Sequence, residues 1–305
     1  DANGPINYEE YGAYSQVQKK FLKEDRLKVT ASIRYDKAQN FDGNFSPRVS
    51  FAYAAGENKN QNFRASFQTG FRNPTTQDQY IGLDVGSAIL VGSAPDNLDK
   101  NVQYLDGSGN IQSISIRDAY ENSFTIASGG ATQAEIDLVK PEKVTAFEIG
   151  YRGLVNTGES SKMTVDLSLY YNQYEDFIAN ETVLVRGTDN AFKAVQVYTN
   201  SEADVSSYGA TLGLNTKILN GFDLGLNYTL AKFDFDQASD PDFEPSFNTP
   251  EHKVKLQIGK QELFKKQFHF HEKENFSMIF QLDWNAIITF KNEKKTIIFR
   301  YFVYI

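Results

Sequence analysis

The stretch Lys162-Met163-Thr164-Val165-Asp166-Leu167-Ser168-Leu169-Tyr170-Tyr171 alternates without a break. Met163, Val165, Leu167, Leu169 and Tyr171 fall on one parity, and Lys162, Thr164, Asp166, Ser168 and Tyr170 on the other. Successive side chains of a strand point to opposite faces, so this is a strand with one apolar face. Phe222, Leu224, Leu226, Tyr228 and Leu230, interleaved with Asp223, Gly225, Asn227 and Thr229, repeat it. At 40% apolar content, an unbroken apolar parity across both stretches arises by chance about once in ten thousand.

Working outward, the same period recurs. Leu27, Val29, Ala31, Ile33 and Tyr35 share a parity, as do Phe63, Ala65, Phe67 and Phe71. Val49, Phe51 and Tyr53, then Phe147, Ile149 and Tyr151, then Val254, Leu256 and Ile258 add three strands, and residues 12–21 and 204–217 complete a set of nine before residue 260. Several run longer than the roughly 5–6 residues usual in soluble sheets, and approach the roughly 9–11 that cross a tilted bilayer.

The connections at 22–25, 37–45, 55–61, 72–142, 153–160, 174–203, 218–221 and 233–250 alternate short and long. In an up-and-down meander every second connection lies at the same end. All long loops therefore emerge on one side, which is the asymmetry of outer-membrane barrels. Asn220-Gly221 supplies a hairpin turn at the short end. Tyr35, Phe71, Tyr170, Tyr171 and Tyr208 fall at the long-loop ends of strands, and Phe21, Tyr53, Phe63, Tyr151 and Phe222 at the short ends, as two interfacial girdles would require. The expected fold is all-β: an antiparallel up-and-down transmembrane β-barrel, partial, with about 9–10 strands of a larger barrel.

Composition is compatible with this. The mean hydropathy of -0.47 and the lack of any long apolar run exclude membrane helices but not barrel strands, which are apolar only on alternate residues. The absence of cysteine removes disulfides, thiolate metal sites and cysteine nucleophiles. A net charge of -8 argues against a nucleic-acid partner. The opening Asp1-Ala2-Asn3-Gly4-Pro5 has neither a basic nor an apolar leader region, so the 305 residues read as cytoplasmic or as a piece of something longer.

Phe45-Ser46-Pro47-Arg48-Val49-Ser50-Phe51-Ala52-Tyr53, Asn62-Phe63-Arg64-Ala65-Ser66-Phe67 and Gly70-Phe71-Arg72-Asn73-Pro74-Thr75 resemble the TonB-dependent outer-membrane receptors, particularly those of Bacteroidetes type. Pro141-Glu142-Lys143-Val144 running into Phe147-Glu148-Ile149-Gly150-Tyr151-Arg152 looks like the family's next strand after its long loop, and Asn248-Thr249-Pro250-Glu251-His252-Lys253-Val254 like the start of a late strand. The likeness covers about residues 8–260, and Gly70, Phe71, Arg72, Asn73 and Pro74 form its most specific motif. The resemblance implies a 22-stranded barrel with an N-terminal plug, importing a scarce ligand with TonB-supplied energy. Expected partners are outer-membrane lipid, the plug and remaining strands, the TonB complex through an N-terminal part, and a siderophore, cobalamin or oligosaccharide. No enzyme activity or cofactor is expected.

Parity turns Arg34, Arg48, Arg64, Gln68, Arg72, Glu148, Arg152 and Asp166 to the polar, inward face. Such groups line a ligand route or hold a plug through charged hydrogen bonds; the alternative for each taken singly is a solvated or mutually paired lumen. Glu148 and Asp166 are the inward carboxylates an enzyme would use, but no histidine or nucleophile accompanies them. Asp234, Asp236, Asp240, Asp242 and Glu244 lack the glycine and spacing of an EF-hand and read as a solvated acidic loop. Asp106-Gly107-Ser108-Gly109-Asn110 reads as a turn, not a phosphate cradle. The 72–142 connection, with runs at Ile111–Ile116 and Ala131–Leu138, is expected to be functional or disordered, and in the family such loops help capture ligand.

Residues 261–305 differ from the rest. They carry seven Lys/Arg against five Asp/Glu, whereas residues 1–260 carry 24 against 34; no glycine follows Gly259, and alternation is poor. We expect 1–260 to be barrel and 261–305 an aberrant or divergent tail, produced by a frame departure near Phe264 or by a divergent terminal hairpin. His269, His271 and Glu272, spaced for a shared strand face, fall in this tail. The competing architecture is a secreted soluble β-sandwich or adhesin-type module, whose apolar parity would pack against a second sheet. A barrel enzyme is the second rival.

Overall fold

In the computed structural model the alternating segments form a single ten-stranded antiparallel sheet. The structure describes residues 6–127, 130–134, 136–158, 161–218, 221–236, 238, 240, 250–261, 275–283, 288–292 and 295–299. Numbering only the strands of this sheet, they are β1 (Glu10–Phe21), β2 (Leu27–Ala38), β3 (Asn44–Ala55), β4 (Gln61–Arg72), β5 (Glu142–Asn156), β6 (Lys162–Glu175), β7 (Val205–Ile218), β8 (Phe222–Phe235), β9 (His252–Gln261) and β10 (Asn275–Asp283). Each pairs with the next in sequence, giving the expected up-and-down meander. The sheet is a partial barrel, as the sequence implied.

Register keeps one apolar face continuous. Ala31 opposes Val49, Val49 opposes Phe67, Phe67 opposes Phe147 and Phe147 opposes Tyr171. Farther along, Leu167 opposes Leu212, Leu212 opposes Tyr228 and Tyr228 opposes Val254. Aromatic cross-strand contacts reinforce the band: Phe63–Tyr151 at 5.1 Å and Phe67–Phe147 at 5.0 Å between ring centroids. This face stays uncovered, with Ile33 at 48%, Phe51 at 45% and Ile149 at 56% exposure. A sandwich would have buried it under a second sheet; a barrel turns it to lipid. Among the described residues no helix is long and apolar enough to cross a membrane.

Gly221 adopts a φ of 76°, the left-handed conformation the β7–β8 hairpin turn needs; Asn220 lies outside the described residues. One girdle assignment needs correction. Tyr170 is the register partner of Glu148 and Gly209, so it faces inward, not toward the interface. Adjacent residues of a strand cannot share a face, and Tyr171 takes the outward one.

The buried core lies in the loops rather than under the sheet. Residues 73–141 and 176–204 interleave into a six-stranded sheet in the order Gly130–Ala134, Ser123–Ala127, Ile178–Arg186, Phe192–Asn200, Ile89–Val91, Gly82–Asp84. The Phe192–Asn200 strand pairs in parallel with Ile89–Val91, stitching the second excursion to the first. Val91, Ile114, Val183, Val185, Val195 and Val197 are almost fully buried beneath α2 (Ile116–Glu121), which contributes Ile116, Ala119 and Tyr120. Each such side chain contributes about 1.5–3 kcal/mol by burial, enough to hold loops as a folded module. The Ile111–Ile116 run noted in sequence enters this core as a strand leading into α2, and Gly130–Ala134 forms the sheet's edge.

Past β9, strand β10 continues the sheet, while Ile288–Asn292 and Lys295–Phe299 pair, among the described residues, with each other. Phe264, His269, His271 and Glu272 lie outside the described residues, as do Asp242 and Glu244.

Candidate functional site

The inward face carries the polar parity. Its centre is a charged cluster on β4, β5 and β6. Arg64 lies 3.4 Å from Glu148 and 3.5 Å from Asp166, Arg152 lies 3.9 Å from Asp166, and Ser168 donates to Glu148 at 3.1 Å. Gly150 makes this possible. It is the register partner of Arg64, and a Cβ there would fall 2.5 Å from the Arg64 Nε. The guanidinium thus lies across the bare glycine to reach two carboxylates.

Beside the cluster is a cleft of about 290 Å³ lined by Ser66, Gln68, Glu148, Ser168, Tyr170 and Asn172. Tyr170 lies over Gly209, where a Cβ would meet its ring at 2.5 Å. Hydroxyl, amide and carboxylate groups around one aromatic ring can hydrogen-bond and stack a polar ligand or a docked protein segment. The cluster holds no histidine, and no group of potential metal ligands occurs among the described residues. Nothing in it activates Ser168 as a nucleophile: its hydroxyl donates to a carboxylate that Arg64 already holds.

The other predicted residues sit apart. Arg34 makes a two-pronged contact with Asp36 at 2.7–2.9 Å on β2. Arg48 on β3 is exposed inward between its register partners Ser32 and Gln68. Arg72, at the end of β4, donates to Glu142 at 2.7 Å. Sequence reading missed Glu142 as a site residue. Its carboxylate also accepts the Ile178 amide at 3.2 Å, so it ties the start of the second excursion to both ends of the first. The signal was available: counting back by twos from Glu148 places Glu142 on the inward face, opposite the last residue before the excursion.

The motif Gly70, Phe71, Arg72, Asn73 and Pro74 turns the chain from sheet into module. The buried Pro74 carbonyl accepts from Gln79, and Thr75 caps α1 (Thr76–Tyr80) through a reciprocal box with Asp78. Gln79 also accepts from Asn40, pinning the module to the β2–β3 connection. At the far tip, the Asp106 carboxylate accepts the Asn110 amide at 2.8 Å, the Asn110 and Gln112 side chains and the Ser108 amide, and these bonds hold it at a pKa of about 2. The segment is a turn, as expected, with Gly109 at φ 82°. Burial, aided by Asp189, pushes the Tyr104 phenol up to about 12.

Where the second excursion joins the sheet, Tyr174, Phe177, Phe233 and Phe235 stack around Ala203 and Val205. This aromatic group was not foreseen, because its members are far apart in sequence.

Continuous outward band, paired inward charges and a loop module at one end define part of an outer-membrane barrel. The comparisons agree. The family described as "TonB dependent receptor-like, beta-barrel" matches residues 1–288, and the chain belongs to it. Its proteins are receptors and transporters of the bacterial outer membrane, not enzymes. The siderophore receptor PirA from Acinetobacter baumannii shares the fold with a TM-score of 0.57 at 12% identity, over 97% of this chain and 34% of that one. The FrpB iron transporter from Neisseria meningitidis gives 0.53 at 14% identity, over 92% and 33%. The ferric enterobactin receptor PfeA from Pseudomonas aeruginosa gives 0.54 at 12%, over 93% and 37%. The chain thus spans about a third of the length of these structures. No curated protein matches it.

Proposed function

We propose that the chain forms the wall and outer mouth of a receptor that binds a scarce ligand and imports it with energy from the TonB complex. The plug and remaining strands of the barrel complete the lumen, and the ligand is a siderophore complex, a cobalamin or an oligosaccharide. The observation that carries this reading is the charged cluster of Arg64, Glu148, Arg152 and Asp166 on a sheet whose other face is apolar. The siderophore class comes first, because PirA is by name a siderophore receptor and PfeA a ferric enterobactin receptor.

In this reading Arg34, Arg48, Arg64, Gln68, Arg72, Glu148, Arg152 and Asp166 face plug or ligand, with residues 1–260 as barrel and 261–305 as a divergent tail whose strand β10 still pairs with β9. The test is uptake of radiolabelled iron as ferric-siderophore complexes, in iron-starved cells with and without the gene encoding this chain. Accumulation that needs both the gene and TonB supports the proposal. Equal accumulation without the gene, for cobalamin and oligosaccharides as well, defeats it.

A further inference from the structure

The six-stranded sheet of the loop module has one face open to solvent. Val183, Val185, Val195, Val197 and Val91 turn to the core beneath α2 and are almost fully buried. Period two sends their neighbours the other way. There Arg186 opposes Phe192, Leu184 opposes both Phe124 and Ala194, and Thr182 opposes Gln196. All of these are exposed or half-buried, and no Asp or Glu occurs among the described strand residues of this face.

Along its strands the face is graded in three rows. At one end the Arg186 guanidinium lies over the Phe192 ring, 4.7 Å from the centroid, and Phe192, itself 46% exposed, meets Phe124 edge-on at 5.7 Å. The middle row of Phe124, Leu184 and Ala194 is apolar. Thr182 and Gln196 form the third, with a hydroxyl and an amide to offer. Successive rows are two residues, or about 7 Å, apart. Beyond the third, the Tyr198 hydroxyl accepts from Gln77 of α1, which closes that end.

The cation at the open end is unspent. Arg117, Lys140 and Lys193 of the same module each hold a carboxylate. Arg186 makes no ion pair or hydrogen bond with a described residue; the ring beneath it fixes its plane and leaves its five N–H groups unclaimed.

We infer that this face binds a ligand carrying a carboxylate on an aromatic ring, with a hydrogen-bonding group on the ring's far side. The carboxylate accepts from Arg186 with both oxygens, the ring rests on Leu184, Ala194 and the edge of Phe124, and the far group bonds Gln196 and Thr182. A neutral ligand would desolvate Arg186 without pairing it, and a polyanion would find a single cation here. The inference rests on the loop module forming the receptor's outer mouth, and it narrows the ligand, within the siderophore class, to one that displays an aryl carboxylate.

The experiment titrates 4-acetamidobenzoate into the full chain in micelles and reads contact by saturation-transfer NMR, with the uncharged 4-acetamidobenzamide as its match. The benzoate should bind several-fold more tightly than the amide. Arg186→Gln should erase that difference, and Gln196→Ala should weaken both probes alike. Arg117→Gln, at an arginine that Asp99 and Glu121 already hold, should change neither. Equal binding of the two probes, an Arg186→Gln chain that still prefers the benzoate, or an equal loss in Arg117→Gln would each overturn the assignment. Import is read separately. Benzoate binding that persists where uptake does not depend on the gene upholds this face and defeats the import proposal, and gene-dependent uptake without benzoate binding does the reverse.

Discussion

Arg72 and Glu142 are register partners on neighbouring strands, and the Arg72 Nη2 lies 2.7 Å from a Glu142 carboxylate oxygen. Between them the chain runs through residues 73–141 before returning. The pair closes the base of that excursion, and the Ile178 amide on the same carboxylate draws in the second. Glu142 accepts from both the Arg72 guanidinium and the Ile178 amide, so its loss breaks two bonds where the loss of Arg72 breaks one.

Glu142→Ala should therefore loosen the loop module by about 1–2 kcal/mol, the value of a charge-assisted hydrogen bond discounted for the exposure of Arg72. Limited proteolysis should show faster cutting within 73–141 and 176–204 and unchanged cutting of the sheet. Arg72→Ala should have the smaller effect, since Ile178 still donates. The reverse ranking would contradict the role given to Glu142.

Gly150→Ala should displace Arg64 and weaken its contacts with Glu148 and Asp166. With these groups roughly 40% exposed, the cost should be about 1 kcal/mol or less. Urea unfolding in micelles reads it. The substitution should cost markedly less in an Arg64→Ala background, because the obstacle is the arginine side chain itself. An undiminished cost in that background would show that Gly150 serves the backbone alone.

Ile149→Lys should destabilise the chain in lipid by about 2–4 kcal/mol, the cost of a lysine near the middle of the lipid face of a barrel. Ser168→Lys, one strand over on the inward face, should cost far less. A soluble sheet would tolerate lysine at Ile149, which is already 56% exposed, so equal tolerance of both substitutions would argue against membrane insertion.

The Asp106 hairpin should open only in strong acid. Its carboxyl titrates at about 2 in the folded chain against 3.8 in the open one. A depressed carboxylate stabilises fully above the unfolded value and loses that contribution as pH falls through the folded one. Pepsin should spare residues 106–110 just below pH 4 and cut them near pH 2, whereas Asp106→Ala should be cut at both. Protection that persists well below 2 would mean that the turn does not depend on this carboxylate.

The sheet was legible because period-two alternation is local: Leu167 and Leu169 announce their face without reference to any partner. The meander was legible too, since short and long connections alternate along the chain. Tyr170 was misread because aromatic type was weighed above parity, although Ser168 and Asp166 on the same parity already pointed inward. The loop module was hidden for a different reason. Its central contact, the parallel pairing of Val195 with Ile89, joins residues from separate excursions, and no local pattern encodes such a pairing. Of the site, individual inward residues could be read, but their grouping could not. Arg64, Glu148 and Asp166 meet through cross-strand register and through Gly150, whose missing side chain carries no polarity signal.

The parallel stitch between Phe192–Asn200 and Ile89–Val91 makes the two excursions a single unit of inheritance. Transplanting residues 73–141 alone onto another receptor would leave Val91 and Ile114 without Val195 and Val197, and transplanting 176–204 alone would strand the other half. Recombination that preserves a folded mouth must therefore exchange both segments at once. The two segments of this chain can change partners only as a pair.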